Sequence, residues 1–458
     1  AAVARRALEA RGIKPGSRVA LLAPNRVATV IVLHALIDLG ATVVPIHPRL
    51  TAAEAELLLA DAAPHLLLRD EDLAALQAST SPAPNDRSSD LDLDLDLDLD
   101  LDLDLDPDPD LDLPLAMIYT SGTTGRPKGA VLSRRAFLAS AESSAHNLGW
   151  TAEDRWLLCL PLCHVGGLSI LTRCLLARRP IVLEARFDPD AVLAAIDLHR
   201  VTMLSVVPTM LRDLLDRDTR GLLARLRVVL SGGAATPPSL LEACSARGVP
   251  LLTTYGLTEA CSQIASQRPS FPYRSEPGSG RALPGAEIRI VGGDGHEPGH
   301  IQVRGPMLMS GYWRGPARAL DPATDAEGWF ETGDLGSLDE AGRVHLASRR
   351  SDLIVTGGEN VYPLEVEQVI TSLPFVRAAL VFGIPDERWG QVVAVALEID
   401  GDFDEARLAT LLAGRLAPHK RPRRWCVVSA LPRRGPDKLD RRDLVERFAA
   451  QLRPLQRA

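Results

Sequence analysis

Residues 117–133 read MIYTSGTTGRPKGAVLS. The segment YTSG closes a β-rich run, and TTGRPKG follows it. Glycines at 122, 125 and 129 let a ligand approach the backbone closely. Their amides, with the hydroxyls of Thr120, Ser121, Thr123 and Thr124, are donors suited to phosphate oxygens. Lys128 adds a mobile positive charge. A P-loop would need G-x-x-x-x-G-K-[ST], with a hydroxyl for magnesium directly after the lysine. Here Pro127 precedes Lys128 and Gly129 follows it, so the stretch does not fit the P-loop pattern. Taken alone, the stretch fits either a phosphate-holding loop or a plain Gly/Thr turn.

Working outward, short β-rich runs recur: SRVALLAP, ATVVPIHP, LAMIYTSG, RWLLCLPL, RPIVLEA, VTMLSVVP, LRVVLSGG and VPLLTTYG. Helical patterns lie between many of them: VATVIVLHALIDLG, AAEAELLLADAAP, RRAFLASAESSAHNLG, DAVLAAIDLHR, PTMLRDLLDRD and PSLLEACSARG. Strand–helix alternation predicts an α/β protein whose parallel-rich sheets are covered by helices. From about 284 to 347 the pattern changes to strands and turns, which predicts a small β-subdomain. After Arg350 a second, smaller α+β unit begins, ending in the helix DEARLATLLAGRL. The expected division is 1–350 and 351–458.

A chain of 458 residues is long for one domain and comfortable for two or three. The longest apolar candidate for a membrane span, Val27 to Ile46, contains His34, Asp38, Gly40 and Pro45, and reads as a buried helix leading into a strand. The first residues carry charges and no apolar signal core, so a cytoplasmic protein is expected. The six cysteines are scattered, without C-x-x-C pairs or metal spacing, which favours buried free thiols over disulfides or zinc. The net charge of −8 is local in origin: Asp90 to Asp112 holds 12 aspartates and no basic residue, leaving the remainder net basic by four. Strict Leu-Asp alternation is formally a strand pattern, but one face would be a row of like charges. A solvated linker over 79–114 is expected, against the alternatives of an acidic interaction arm or a calcium tract.

The opening stretch has companions. PLCHVGGL at 161–168, LSGGAATP at 230–237, TYGLTEACSQ at 254–263, GWFETGDLG at 328–336, SRRSDLIVTGGENVYPLEVE at 348–367 and LPRRGPDKLDRRDL at 431–444 follow it in order. Together with YTSGTTGRPKG, these resemble the motif series of the acyl-adenylate-forming superfamily, which includes acid–CoA ligases, luciferases and peptide-synthetase adenylation domains. The resemblance spans nearly the whole chain.

That resemblance implies ATP, Mg2+ and coenzyme A as reactants or cofactors, and a C-terminal domain that moves between two half-reactions. It implies that Thr120, Ser121, Gly122, Thr123, Thr124, Gly125 and Lys128 hold phosphates. Glu259 would hold magnesium, Tyr255 would stack on adenine, and Gly233, Gly256 and Thr258 would complete the nucleotide site. Asp334 would accept from the ribose hydroxyls and Arg349 would contact ribose or phosphate. His164, Gly167, Ser231, Gly232, Thr258 and Ser262 would form the acyl pocket. Gly357 and Gly358 would line the CoA path, Ser351 and Asp352 would be the hinge, and Lys438 would be the catalytic lysine, beside His164 and Glu259. For single residues the plainer alternatives are Asp334 as a turn former, Glu259 as a helix-start carboxylate, His164 as a core histidine and Lys438 as one of several solvated basic residues.

The sequence departs from the superfamily pattern in places. Asp437 stands where glycine is common, Ser348 where glycine often precedes the hinge arginine, and Ser351 where the hinge is usually Asp or Lys. Members usually have some tens of residues before a segment like ARRALEARGIKPGSRVALLAPN, so a reduced first subdomain is expected. The details PLCHVGGLSIL, CSQ after the adenine motif, and RRSDLI resemble the o-succinylbenzoate–CoA ligase group within the superfamily. Other aryl- or acyl-CoA ligases, an adenylation domain and a non-catalytic adenylate-binding protein are the alternatives. No nucleic-acid partner and no membrane span are expected, and a homodimer is allowed for.

Overall fold

The structure is a computed structural model that describes residues 1–78, 110–121, 127–234, 236, 238–270, 276–292, 298–316, 319–348, 353–373, 375–399, 403–432 and 444–455. Two mixed sheets organise the N-terminal region. In the first, Arg18–Leu22, Thr42–Pro45 and Leu66–Arg69 run parallel, and Thr42–Pro45 also pairs parallel with Pro114–Ser121. Pro114–Ser121 then turns back antiparallel onto Pro127–Ser133. In the second, Leu251–Leu257, Val228–Ser231, Met203–Val206, Trp156–Leu158 and Ile181–Leu183 run parallel, closed on one side by antiparallel Ser262–Ser266. All eight β-rich runs read from sequence are strands, and all six helical patterns are helices.

The helices Arg134–Leu148 and Val165–Ala177 lie between the sheets and share one apolar core with both. That helical layer decides the geometry of the site, because both sheets present their strand ends to the same crevice. Ser133 ends the lysine-bearing strand and caps the next helix, its hydroxyl accepting from the Ala136 amide at 3.1 Å. The outer face of the second sheet is covered by Pro189–Leu198, Pro208–Arg217 and Pro238–Ala246 around a second core.

Four antiparallel strands, Glu287–Val291, Gly299–Arg304, Phe330–Leu338 and Val344–Ser348, form a separate sheet. The C-terminal region is built on a long hairpin, Val376–Asp386 with Gly390–Ile399. Apolar clusters lie on both faces of its sheet, with helices Pro363–Ile370 and Glu405–Arg415 over one of them. The expected hinge, Ser351 and Asp352, lies outside the described residues, as does most of the Leu-Asp insert. The end of the insert is held: Asp110 to Leu113 form a turn whose Leu111 and Leu113 carbonyls accept from the Arg135 and Arg134 amides. Among the described residues no helix is long and apolar enough to cross a membrane.

Candidate active site

A cleft of about 1270 Å³ opens where the strand ends of both sheets meet the C-terminal region. On one wall Thr120 and Lys128 face each other across the antiparallel pair. The Lys128 ammonium sits 5.2 Å over the Tyr312 ring, and the Tyr312 hydroxyl donates to Glu259 Oε1 at 2.9 Å. One tyrosine thus positions a cation by its face and a carboxylate by its hydroxyl. Ser121 ends its strand, and Gly122, Thr123, Thr124 and Gly125 lie outside the described residues.

Gly233, Gly256, Thr258 and Asp334 line the cleft. Tyr255 does not. It is 1% exposed, and its hydroxyl donates to Asp334 Oδ2 at 2.7 Å. A ring so enclosed has no free face for adenine in this arrangement, so its part is to orient the carboxylate. Ser231 is a second correction. It is also 1% exposed and shares a 2.9 Å hydrogen bond with Thr236, which turns it away from the acyl pocket.

The remaining acyl-pocket residues, His164, Gly167, Gly232, Thr258 and Ser262, all reach the cleft. His164 is the N-cap of the helix Val165–Ala177. A Cβ on Gly167 would lie 2.3 Å from the Pro161 carbonyl oxygen, so only glycine lets this turn close under the histidine. Ser262 is presented by two consecutive positive-φ residues, Cys261 at 52° and Ser262 at 91°. The Cys261 carbonyl is anchored by the Ser140 hydroxyl at 2.8 Å, which helps hold the strained turn.

The charges of the cleft fall into two kinds. Arg173, on the helix that begins at His164, is 3% exposed yet lines the cleft. Its Nε and Nη2 are buried without a hydrogen-bond partner. Burial lowers its guanidinium to about 10, which still leaves it charged at neutral pH. Glu359, from the loop that carries Gly357 and Gly358, has the opposite surroundings. Its carboxylate lies 3.1 Å from His164 Nε2, 3.6 Å from His47 Nε2 and 3.2 Å from Arg49. Burial opposes its ionisation, but His164, by charge and hydrogen bond, together with His47 and His419, holds it well below the usual carboxylate range. The reciprocal effect appears at His164: enclosure by the cleft walls disfavours its charged form, but Glu359 outweighs that and raises it. His164 is 48% exposed, and it lines the cleft.

His47, Cys163 and His164 offer donor atoms within 4.8 Å of one another. The arrangement is not that of a metal centre. His47 Nδ1 accepts from the Arg49 amide at 3.0 Å, which puts the ring proton on Nε2, facing Glu359. Gly357 and Gly358 both line the cleft with φ of +60° and +82°. A Cβ on Gly358 would lie 2.6 Å from Val207, so this loop enters the crevice only because it has no side chain there.

Comparison with known proteins agrees with this geometry. The AMP-binding enzyme model matches residues 2–313, and the AMP-binding enzyme C-terminal domain model matches residues 365–438. The chain belongs to the AMP-binding enzyme family. Among relatives of this AMP-binding enzyme, a 2-succinylbenzoate–CoA ligase of Bacillus licheniformis is 38% identical, over 95% of this chain and 91% of its own. A double mutant of the Bacillus subtilis o-succinylbenzoate CoA synthetase, bound to a product analogue, is 34% identical. It covers 99% of this chain and 92% of its own, with a TM-score of 0.85. The same Bacillus subtilis enzyme in complex with its acyl-adenylate intermediate is also 34% identical, covers 96% and 90%, and has a TM-score of 0.67.

Several site residues escaped the sequence reading. Arg173 had a visible signal, a lone cation in the apolar run SILTRCLLA. Glu359 lay inside the quoted 348–367 stretch without a role, and Tyr312, His47 and His419 had no signal, since each acquires its role only through contacts across the fold. Arg349 and Lys438 lie outside the described residues.

Proposed function

We propose that this chain is an ATP-dependent acid–CoA ligase acting on o-succinylbenzoate. It adenylates one carboxylate of the acid with release of pyrophosphate, then transfers the acyl group to the CoA thiol with release of AMP. The observation that carries the choice of acid is Arg173. A buried guanidinium with orphaned donors is costly in the free protein, and it is offset when a ligand supplies an anion. A dicarboxylic acid can present one carboxylate to ATP while the other pairs with Arg173. Benzoates, coumarates and fatty acids have no second anion to offer it.

In the first half-reaction the phosphates lie along Thr120, Ser121, Gly122, Thr123, Thr124, Gly125 and Lys128. Asp334, oriented by Tyr255, accepts from ribose, with Arg349 nearby. Glu259 offers oxygen ligands in the cleft and suits a hard cation, so it is the residue that would hold Mg2+, which when bound neutralises phosphate charge. Lys438 would bridge the reacting carboxylate and the α-phosphate, compensating the charge that meets there. In the second half-reaction the C-terminal domain turns about Ser351 and Asp352, and the Gly357-Gly358 loop frames the pantetheine path. The better superposition on the product-analogue complex than on the acyl-adenylate complex supports reading the present arrangement as the thioester-forming one. A cytoplasmic enzyme, able to pair as a homodimer, completes the proposal.

The test is substrate-dependent pyrophosphate release and CoA thioester formation across o-succinylbenzoate, benzoates, fatty acids and amino acids. Turnover with o-succinylbenzoate well above the others is expected. Preferred turnover of a monocarboxylic acid would remove the role given to Arg173 and with it the substrate assignment.

A further inference from the structure

Glu54 is the third residue of the helix Ala52–Ala62 and closes a capping box with Thr51. Its Oε2 accepts from the Thr51 amide and hydroxyl, both at 2.9 Å. That is ordinary helix-start chemistry and needs only one carboxylate oxygen. The other oxygen points at the C-terminal domain. Oε1 accepts from Lys420 Nζ at 3.1 Å and from the Ala417 amide at 3.3 Å. Lys420 is 9% exposed and is also paired with Glu365, on the first turn of the helix Pro363–Ile370. The Arg415 carbonyl oxygen lies 3.4 Å from the Thr51 hydroxyl oxygen, so the two segments touch there as well.

We infer that Glu54 is a positioning residue for the thioester-forming step: through Lys420 it latches the C-terminal domain against the cleft. The cap and the latch use different oxygens. When the domain turns away, Glu54 keeps its helix-start hydrogen bonds and releases only Lys420 and the Ala417 amide. Lys420 meanwhile keeps Glu365, which belongs to its own domain, so neither state strands an unpaired buried ammonium. Docking therefore adds a second carboxylate to a pair that is already neutral. The site has one net negative charge, and Glu365 Oε2 remains buried without a partner. Such a contact favours one placement without fixing it, as a domain that must leave on every cycle requires. The latch lies beside the chemistry: the next residue back, His419, has its ring 6.3 Å from that of His47 in the Glu359 cluster.

The kinetic arm of the test rests on the ligase reading above, and the structural arm does not. Glu54→Gln keeps an oxygen for the helix cap and removes the charge facing Lys420. It should slow conversion of supplied acyl-adenylate plus CoA to thioester by about tenfold, while pyrophosphate release stays within about twofold. Lys420→Met removes the same contact from the other side, leaves the cap intact and should show the same split. Small-angle X-ray scattering with CoA present reads domain placement without any turnover. The wild type should fit the present arrangement, and both variants should depart from it. Equal slowing of both half-reactions, a thioester step at wild-type speed, or an unchanged scattering profile would each overturn the latch.

Discussion

Arg173, buried, and Glu359, largely so, are charged groups of the same cleft, and they are opposites. Arg173 has too few partners: its guanidinium lies 5.9 Å over the Trp156 ring, and two of its donor atoms have no hydrogen-bond acceptor. Glu359 has several, with two histidines and an arginine around one carboxylate. A protein pays a desolvation cost for each, yet only Glu359 recovers it from its own side chains. The unpaired charge therefore marks where a ligand completes the structure. The fully paired charge marks where two domains complete each other.

The largest expected effect follows from the unpaired member. Arg173→Gln should lower kcat/KM for o-succinylbenzoate by about thirtyfold or more, the scale for truncating one side of a buried charge pair. The loss should be much smaller for benzoate, which has no second carboxylate. The melting temperature of the free protein should hold or rise, because the substitution removes an uncompensated charge. A comparable loss for both acids, with a lowered melting temperature, would make Arg173 a structural residue and erase the contrast with Glu359.

That contrast also explains what was legible in the sequence. The α/β class and every strand and helix named from pattern are present, because hydrophobic periodicity and turn chemistry are local properties. The helix Val165–Ala177 was not recognised, because paired glycines imitate a loop; Gly167 is there so that the turn can pass under the Pro161 carbonyl. Lys128, Glu259, Asp334 and His164, each quoted within a contiguous motif, line one cleft. Glu359 was quoted within such a motif but given no role, since its partners His47, Arg49 and His164 come from distant segments. Tyr255 and Ser231 were placed in contact with ligand, and burial in the folded chain gives them supporting contacts instead.

The second expected effect sharpens the paired side of the comparison. Gly358→Leu puts a branched side chain where even a Cβ would lie 2.6 Å from Val207, at a φ of +82° that side chains avoid. The loop carrying Glu359 should then fail to enter the cleft. Thioester formation from supplied acyl-adenylate should fall by about tenfold or more, on the scale of a strained, clashing backbone site, with adenylation much less affected. Equal damage to both half-reactions would show that the loop is needed for folding rather than for docking.

The smallest expected effect is on pH, and it tests whether the Glu359 cluster behaves as a docking contact. His164 is raised in the docked arrangement, so its contribution is fully present below the ordinary imidazole value of about 6.5 and fades as pH rises through the raised value. His419 acts in the opposite direction. Burial lowers it to about 4, the lowering reinforced by Lys420, His47 and Arg49 and opposed by Glu359. The docked state therefore loses favour as pH falls below about 6.5, where an undocked His419 would take up a proton. Glu359 is ionised in both placements above the ordinary carboxylate range and so adds no pH dependence there. The thioester half-reaction should accordingly show a shallow optimum near neutrality, declining by a few-fold on each side, while adenylation, carried out with the domain elsewhere, follows a different profile. His419→Phe should flatten the acidic side only, because it removes the protonation that opposes docking and leaves the His164–Glu359 pair in place. Identical profiles for the two half-reactions would show that these histidines titrate without reference to the position of the domain, and Glu359 would then be a charge buried for stability alone.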